Sequence, residues 1–125
     1  MFPGTDLIEI KRVDQAMLRQ PRLKSRLFTG AEIEECEQKG HAAASYAGKF
    51  AAKEAVLKAL GTGLRGLNWT DIEVLADPLG KPEVHLATAA YELMISRGLS
   101  TVRVSISHSR DFAIAFAIAL KGEEE

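Results

Sequence analysis

Two charged residues with catalytic potential lie in a stretch that otherwise has the composition of a core helix. The segment "KFAAKEAVLKALGTG", from Lys49 to Gly63, is rich in alanine and leucine. At about 100° per residue, Glu54 shares one helical arc with Phe50 and Leu57. Because an unpaired buried carboxylate is strongly unfavourable, a Glu54 on this arc requires a buried partner, a shifted pKa or a metal ion.

Lys58 follows Glu54 by four residues and offers a simpler explanation. A Glu–Lys pair at this spacing stabilises an exposed helix by about 0.2–0.5 kcal/mol, and Glu54 would then lie on the rim of the apolar face. Both hypotheses stay open on these residues alone: a surface ion pair, or a carboxylate that belongs to a functional site.

Asp6 is the second candidate carboxylate. It stands in the extended segment "GTDLIEI", where strand-forming residues dominate and aspartate is disfavoured. A turn or cap carboxylate after Gly4 and Thr5 is the simpler explanation. Two carboxylates that are distant in sequence can also meet around Mg²⁺, which proteins commonly hold with one or two carboxylates, water and substrate phosphates. Sequence spacing does not decide whether Asp6 and Glu54 meet.

Three other features give weaker signals. "GTG" at Gly61–Gly63 would let the backbone approach a phosphate, but it matches neither the Walker pattern nor the dinucleotide fingerprint, and a helix C-cap is the simpler reading. His108 closes a strand before a turn, where a histidine is more often a surface residue than a base. Cys36 is the only cysteine, which excludes an intramolecular disulfide framework, and it is interpreted as a structural residue.

Length and composition describe an ordinary globular chain. The 125 residues are 46% hydrophobic and 26% charged, and they predict one domain over residues 1–125. The formal net charge of −1 favours no particular partner, and no nucleic acid is expected. The first residues of the sequence do not resemble a signal peptide, and the longest apolar run is too short to span a bilayer as a helix. We therefore expect no membrane association and a cytoplasmic location.

Charge is nevertheless unevenly distributed. Between Lys11 and Arg26, six basic residues are opposed only by Asp14. Such an excess either forms a solvated helix face or receives an acidic partner or a phosphate.

The patterning predicts an α+β fold, with N-terminal helices packed on a mainly antiparallel sheet. One helix is expected over about residues 13–27, with an interruption at Pro21. A second begins at the capping box of Thr29 and Glu32, and a third covers about residues 42–60. The segments "DIEVLA" and "PEVHLA" predict one hairpin, and "TVRVSISH" and "FAIAFAIAL" a second, with a helix between them capped by Thr88. Large apolar residues alternate with alanine in "FAIAFAIAL", which predicts a strand buried on both faces.

Taken together, five blocks resemble the bacterial holo-acyl-carrier-protein synthase family, the short type of 4'-phosphopantetheinyl transferase. They are "GTDLIEIKRV", "FTGAEIEEC", "GKFAAKEAVLKALGTGLRGLNWTDIEV", "GKPEVHL" and "VSISHSRDFAIAFAI". The blocks occur in family order and cover nearly the whole chain, and those around "FAAKEA" and "SISH" are the most specific. The resemblance implies a 4'-phosphopantetheinyl transferase-like fold.

The resemblance also implies an activity and its site. Members of the family use Mg²⁺ to transfer the 4'-phosphopantetheine arm of coenzyme A to a serine of apo acyl carrier protein, in fatty acid biosynthesis, and release adenosine 3',5'-bisphosphate. By residue, the resemblance implies catalytic roles for Asp6, Glu54 and Lys58, with Asp6 and Glu54 as metal ligands. It further implies a coenzyme A site formed by Lys49, Lys58, Gly61, Gly63, Pro82, His108 and Ser109. The surface that it implies for the carrier protein is formed by Arg12, Arg19, Arg22 and Arg26.

Several alternatives stay open. The serine proton passes either to Glu54 or to a metal-bound water that Glu54 orients. The resemblance implies a homotrimer with sites at subunit interfaces, which the sequence does not establish. A non-catalytic module that binds coenzyme A or the carrier protein is one competing hypothesis. A structural oligomer in which Glu54 and Lys58 form only an ion pair is another, and it does not predict Mg²⁺-dependent binding of coenzyme A.

Overall fold

The structure is a computed structural model that describes residues 1–122. The last three residues of the expected domain, 123–125, lie outside the described residues. Strands and helices follow in the order β1 (Phe2–Glu9), α1 (Ile10–Arg19), α2 (Leu23–Leu27), α3 (Gly30–Glu37), α4 (Ala42–Leu60), β2 (Ile72–Ala76), β3 (Pro82–Leu86), α5 (Thr88–Ser96), β4 (Thr101–His108) and β5 (Phe112–Leu120).

The strands form two antiparallel sheets. One has the order β1-β5-β4 and the other is the hairpin β2-β3. Both hairpins predicted from the sequence are therefore confirmed, as is the α+β class. Strand β1 is an edge strand and begins earlier than the segment "GTDLIEI", so that Pro3, which has no backbone N–H to donate, stands where an edge tolerates it.

Helix α4 is the centre of the molecule. It packs against β1, β4 and β5, and most of its residues are buried around the whole circumference. Strand β5 presents only alanine to the interior, since Ala113, Ala115, Ala117 and Ala119 are all 1% exposed or less. These small side chains let the helix lie close to the sheet, and the close packing fixes the position of every residue on α4.

The predicted helix ends are mostly confirmed. Thr29 and Glu32 form the expected capping box at the start of α3. Helix α4 ends at Gly61, which has the left-handed φ of 75° that favours glycine. The prediction for Thr88 is wrong by one residue: Ala87 is the N-cap of α5, and no side chain caps that end. A cap and a first-turn threonine look alike in sequence, and here tertiary packing sets the boundary.

The expectation that β5 is buried on both faces is wrong for the single chain. Phe112, Ile114 and Phe116 are 44–45% exposed, on the face that points away from α4. Leu7 of β1 is paired with Ile114 and is 62% exposed on the same face. The result is an apolar patch across two strands, here called the outer face (Leu7, Phe112, Ile114 and Phe116).

Within residues 1–122, every helix is too short or too polar to cross a membrane.

Candidate active site

Gly4 brings β1 against α4 more closely than any other residue could. A Cβ at this position would lie 2.1 Å from the carbonyl oxygen of Ala55 and 2.6 Å from the amide nitrogen of Ala59. Because backbone atoms cannot give way as a flexible side chain can, only glycine fits here. This contact lays the following residues of β1, including Asp6, along the face of α4 that carries Glu54 and Lys58.

The three predicted catalytic residues are thereby brought together. The Nζ atom of Lys58 lies 3.2 Å from Oδ1 of Asp6 and donates a second hydrogen bond of 3.0 Å to the carbonyl oxygen of Thr5. Asp6 lies within β1, where it is paired with Ala115, so the turn or cap explanation is excluded. The ion pair of Lys58 is formed with Asp6 across 52 residues of sequence, not with Glu54 on its own helix.

Glu54 is half-buried and, among the described residues, accepts no hydrogen bond. Burial raises its pKa, and the nearby carboxylate of Asp6 raises it further, whereas Lys58 opposes both effects. The residue thus lies at the rim of the core instead of within it. The two carboxylates line one groove, and of the two only Asp6 forms an ion pair among residues 1–122.

The pair fits a magnesium ion by its chemistry. Carboxylate oxygens are ligands that Mg²⁺ prefers, and this ion usually keeps several waters and takes other ligands from substrate phosphates. Among residues 1–122, no group of three or more His, Cys, Asp or Glu residues is placed to hold a metal. Two carboxylates, one of them unpaired, are the kind of incomplete ligand set that a phosphate-bearing substrate would complete.

Glu54 lies at the junction of two cavities. On one side is a groove of about 440 Å³ between β1, α1 and α4, with Asp6 and Arg12 at its polar end and Leu23 and Phe50 among its apolar walls. On the other side is a cavity of about 330 Å³ that Lys58, Gly61 and Gly63 also line. The two predicted glycines therefore line the same cavity as Glu54, and both have left-handed φ angles, of 75° and 62°.

The basic residues lie beside the groove. Arg12, Arg19, Arg22 and Arg26 are all exposed, and Arg12 itself lines the groove. Arg12 and Arg19 are seven residues apart on α1 and share one face of that helix. An acidic partner that binds this surface would come within reach of Asp6 and Glu54.

The remaining predicted residues surround a third cavity, here called the hairpin cavity. It has a volume of about 180 Å³ and is lined by Lys49, Pro82 and His108 together with His41, whose ring centroid lies 5.4 Å from that of His108. Ser109 follows His108 and forms the tight turn into β5. The hairpin cavity shares no lining residue with either cavity at Glu54, so one chain presents the predicted coenzyme A residues as two separate groups.

Sequence reasoning missed two features of this region. The sequence pattern places Gly4 in an extended segment or a turn and assigns it no contact, although a glycine within a strand is a signal for a close backbone approach. Lys53 and Glu32 were not recognised as partners, yet both are 0% exposed and form an ion pair of 2.8 Å. Cys36 is buried as expected, and burial raises the pKa of its thiol to about 11, which makes it a poor nucleophile.

Comparison with known proteins agrees with the fold and with the family that the sequence resembles. Residues 3–117 match the family model of the 4'-phosphopantetheinyl transferase superfamily. A holo-[acyl-carrier-protein] synthase of Alkaliphilus metalliredigens is 50% identical over 116 residues, which span 93% of this chain and 95% of that protein. The chain belongs to the 4'-phosphopantetheinyl transferase superfamily.

Solved structures narrow the similarity to one type within that superfamily. The crystal structure of holo-[acyl-carrier-protein] synthase from Neisseria meningitidis is 35% identical and superposes with a TM-score of 0.88, over 96% of this chain and 98% of that one. The enzyme of the same name from Helicobacter pylori, solved in complex with coenzyme A, is 32% identical with a TM-score of 0.82, over 94% of this chain and 98% of that one. The chain is thus similar, over its whole length, to holo-[acyl-carrier-protein] synthases.

Proposed function

We propose that this chain is a Mg²⁺-dependent holo-[acyl-carrier-protein] synthase of fatty acid biosynthesis. It transfers 4'-phosphopantetheine from coenzyme A to a serine of apo acyl carrier protein and leaves adenosine 3',5'-bisphosphate. The observation that carries this proposal is the meeting of Asp6, Glu54 and Lys58 between two cavities, where Glu54 has no hydrogen-bond donor among residues 1–122. A cytoplasmic location stays a prediction.

We assign each side chain a part in the proposed transfer. The serine oxygen forms a bond to the β-phosphorus of coenzyme A while the bond from that phosphorus to the 5'-phosphate oxygen breaks, and the serine proton leaves toward Glu54. Glu54 has no hydrogen-bond donor among residues 1–122, so its carboxylate has oxygen lone pairs available for that proton. Lys58, which is 54% exposed beside Asp6, supplies positive charge to the phosphate oxygens. Mg²⁺ held by Asp6 and Glu54 would neutralise charge on the same oxygens.

Two approaches to Glu54 match the two substrates. Charge complementarity directs the acidic carrier protein to Arg12, Arg19, Arg22 and Arg26, and the groove leads from this surface to the carboxylates. The opposite cavity, with Gly61 and Gly63, offers exposed backbone to the diphosphate. The serine and the phosphate would therefore approach Glu54 from different sides.

We also propose that coenzyme A is bound between two copies of the chain, in a homotrimer. Lys49, Pro82, His108 and Ser109 lie in or beside the hairpin cavity, away from the catalytic carboxylates, so a single chain would offer coenzyme A an incomplete site. The outer face provides the apolar surface that such an assembly would bury. Ile114→Lys, at its centre, should reduce the assembly to monomers in sedimentation experiments and weaken coenzyme A binding.

The intact mass of apo acyl carrier protein tests the reaction directly. After incubation with this protein, coenzyme A and Mg²⁺, the carrier should gain the mass of one phosphopantetheine arm, and EDTA should abolish the gain. Coenzyme A that binds without any gain in carrier mass would instead support the non-catalytic module. Failure to bind coenzyme A at all would overturn both.

A further inference from the structure

Strand β2 has a strand on one side only. It pairs with β3, and no other described strand lies along its second edge. In an antiparallel pair, alternate residues direct their backbone groups away from the partner strand, and such an edge normally meets solvent or another strand. Here the free edge instead faces α3 and α4, and Ile72 and Val74 are completely buried, so water cannot satisfy their polar groups.

Four charged side chains bond to this edge in alternating sign. Along β2, the carbonyl oxygen of Ile72 meets Lys53, the amide of Val74 meets Glu32, the carbonyl oxygen of Val74 meets Lys49, and the amide of Ala76 meets Glu35. Each ammonium donates to a carbonyl and each carboxylate accepts from an amide. The residues are spaced three apart on α3 and four apart on α4, so each helix contributes one row of a set here called the charge ladder (Glu32, Glu35, Lys49 and Lys53).

The inner rung is completely buried and completely bonded. Lys53 donates to Glu32 at 2.8 Å and to the carbonyl oxygens of Ile72 at 2.6 Å and Trp69 at 3.1 Å. Glu32 accepts from Val74 at 2.8 Å with one oxygen and from Lys53 and Thr29 with the other. Burial lowers the pKa of Lys53, and Glu32 opposes that shift.

The outer rung joins the ladder to the hairpin cavity. Lys49 donates to Glu35 and to the carbonyl oxygen of Val74, and Glu35 accepts from the amide of Ala76 at 2.9 Å. Lys49 and Glu35 both line the cavity, as does Pro82, which is paired with Ala76 across the hairpin. Burial raises the pKa of Glu35, but the hydrogen bonds from Lys49 and Ala76 outweigh this and lower it.

An ordinary ion pair does not explain this arrangement. Two buried charges that attract one another need no particular backbone partners, and hydrophobic replacements are often as stable. All four members, however, also bond to β2, in the order that a neighbouring strand would present its own amides and carbonyls.

We infer that the charge ladder takes the place of a neighbouring strand along β2. Through it, Glu32, Glu35 and Lys53 act as positioning residues that fix the wall of the hairpin cavity to α4, the helix that carries Glu54. Lys49 and Lys53 lie on α4 within five residues of Glu54, so the ladder holds the hairpin at a set distance from the carboxylates. The structural part of this inference stands on the contacts alone. The effect on coenzyme A binding rests on the proposed function.

Glu35→Gln tests both parts, with the exposed Glu34→Gln on the same helix as a matched control. The substitution removes a negative charge from the hairpin cavity, so electrostatics alone would make coenzyme A bind more tightly. A positioning role predicts the opposite: the amide cannot accept from both Ala76 and Lys49, and the hairpin moves. In calorimetry well below the melting temperature, we expect the dissociation constant of coenzyme A to rise about five-fold, since one net hydrogen bond is worth about 1 kcal/mol. The control should stay within about two-fold, as surface substitutions do.

Amide hydrogen exchange provides a readout that does not depend on the activity. Glu35→Gln should lower the protection of Ala76, whose amide donates to Glu35, while leaving the amides of β5 unchanged. Unchanged protection at Ala76 would overturn the ladder. Lost protection with coenzyme A bound as tightly as in the wild type, or more tightly, would overturn the positioning role alone. A wild-type protein that does not bind coenzyme A would overturn the proposed function and the positioning role with it, while the exchange rates would still decide the ladder.

Discussion

Helix α4 carries two sets of charged residues, and they differ in how completely they are paired. Lys49 and Lys53 are buried, and each bonds to a carboxylate and to the backbone of β2. Glu54, the next residue after Lys53, is half-buried and has no hydrogen-bond donor among the described residues. One helix thus combines a saturated network with an open carboxylate one peptide unit away.

The difference in pairing indicates a structural role for the paired residues and a ligand-binding role for Glu54. Lys53 and Glu32 are completely buried and bonded within the network, and removing either one leaves an uncompensated charge, so this pair contributes rigidity. An acid with a raised pKa beside a second carboxylate is unfavourable for the empty protein and becomes favourable only when a cation or a proton arrives. Under the proposed function, the open carboxylate is the group that reacts, and the buried pair holds the helix that carries it.

The largest effect is expected when the open carboxylate is removed. Glu54→Gln should lower kcat/KM by about 10²–10⁴-fold, the range for a positioned general base, and should abolish the Mg²⁺ dependence of coenzyme A binding. The gain in carrier-protein mass over time measures kcat/KM. Calorimetry with and without Mg²⁺ measures the metal dependence of coenzyme A binding. Glu34→Gln is the control. Turnover and metal dependence that both survive would remove Glu54 from the site.

Substitution in the saturated set should affect stability instead. Glu32→Gln leaves the ammonium of Lys53 without a charged partner, and breaking one side of a buried pair costs about 3–5 kcal/mol. Thermal and urea unfolding should show this loss, with Glu34→Gln unchanged. If Glu32→Gln proved as stable as the wild type, the two sets of charges would not differ as described.

Gly4 tests how the open site is assembled. Gly4→Ala places a Cβ 2.1 Å from the carbonyl oxygen of Ala55, so β1 must move away from α4. We expect a loss of about 1–3 kcal/mol from overpacking and about a 10²-fold loss of kcat from the displacement of Asp6. Gly40→Ala is the matched control, because a Cβ there meets no atom within 4 Å. Equal kcat in the two variants would contradict the assembly of the site by this contact.

A smaller effect is expected at the basic surface. Arg22→Glu should raise KM for the carrier protein roughly 3–10-fold and reduce its dependence on salt, because exposed charges act over short range and are screened. The dissociation constant of coenzyme A should not change. If it changed instead, the basic residues would belong to the nucleotide site.

Much of this fold could be predicted because its signals are local. The capping box of Thr29 and Glu32, the stop at Gly61 and the two hairpins depend on residues close in sequence, and all are confirmed. The exposure of the outer face was not predicted. The alternation of alanine with large apolar residues is the same in a strand buried on both faces and in a strand with one exposed apolar face.

The site itself was predictable only in part. The resemblance named Asp6, Glu54 and Lys58, and the structure brings them together, although their roles stay predictions. The pairing of Lys58 with Asp6 depends on a contact across 52 residues of sequence. The contacts of the charge ladder span from 14 to 42 residues. Spacing shows which side chains share a helix face, but it does not show which element lies opposite that face.

The smallest predicted effect follows from the sign of the Glu54 pKa shift. Because the folded-state pKa is raised, the unfolded chain loses this proton first as the pH rises, and ionised Glu54 then destabilises the fold. Below the unfolded pKa the residue is protonated in both states and has no such effect. Glu54→Gln should therefore raise Tm by roughly 1–3 °C at about pH 8 without divalent cations, and by much less near pH 3.5. Adding Mg²⁺ should stabilise only the wild type. A variant less stable than the wild type at both pH values would mean that Glu54 is paired after all, and the contrast between the two sets of charges on α4 would be lost.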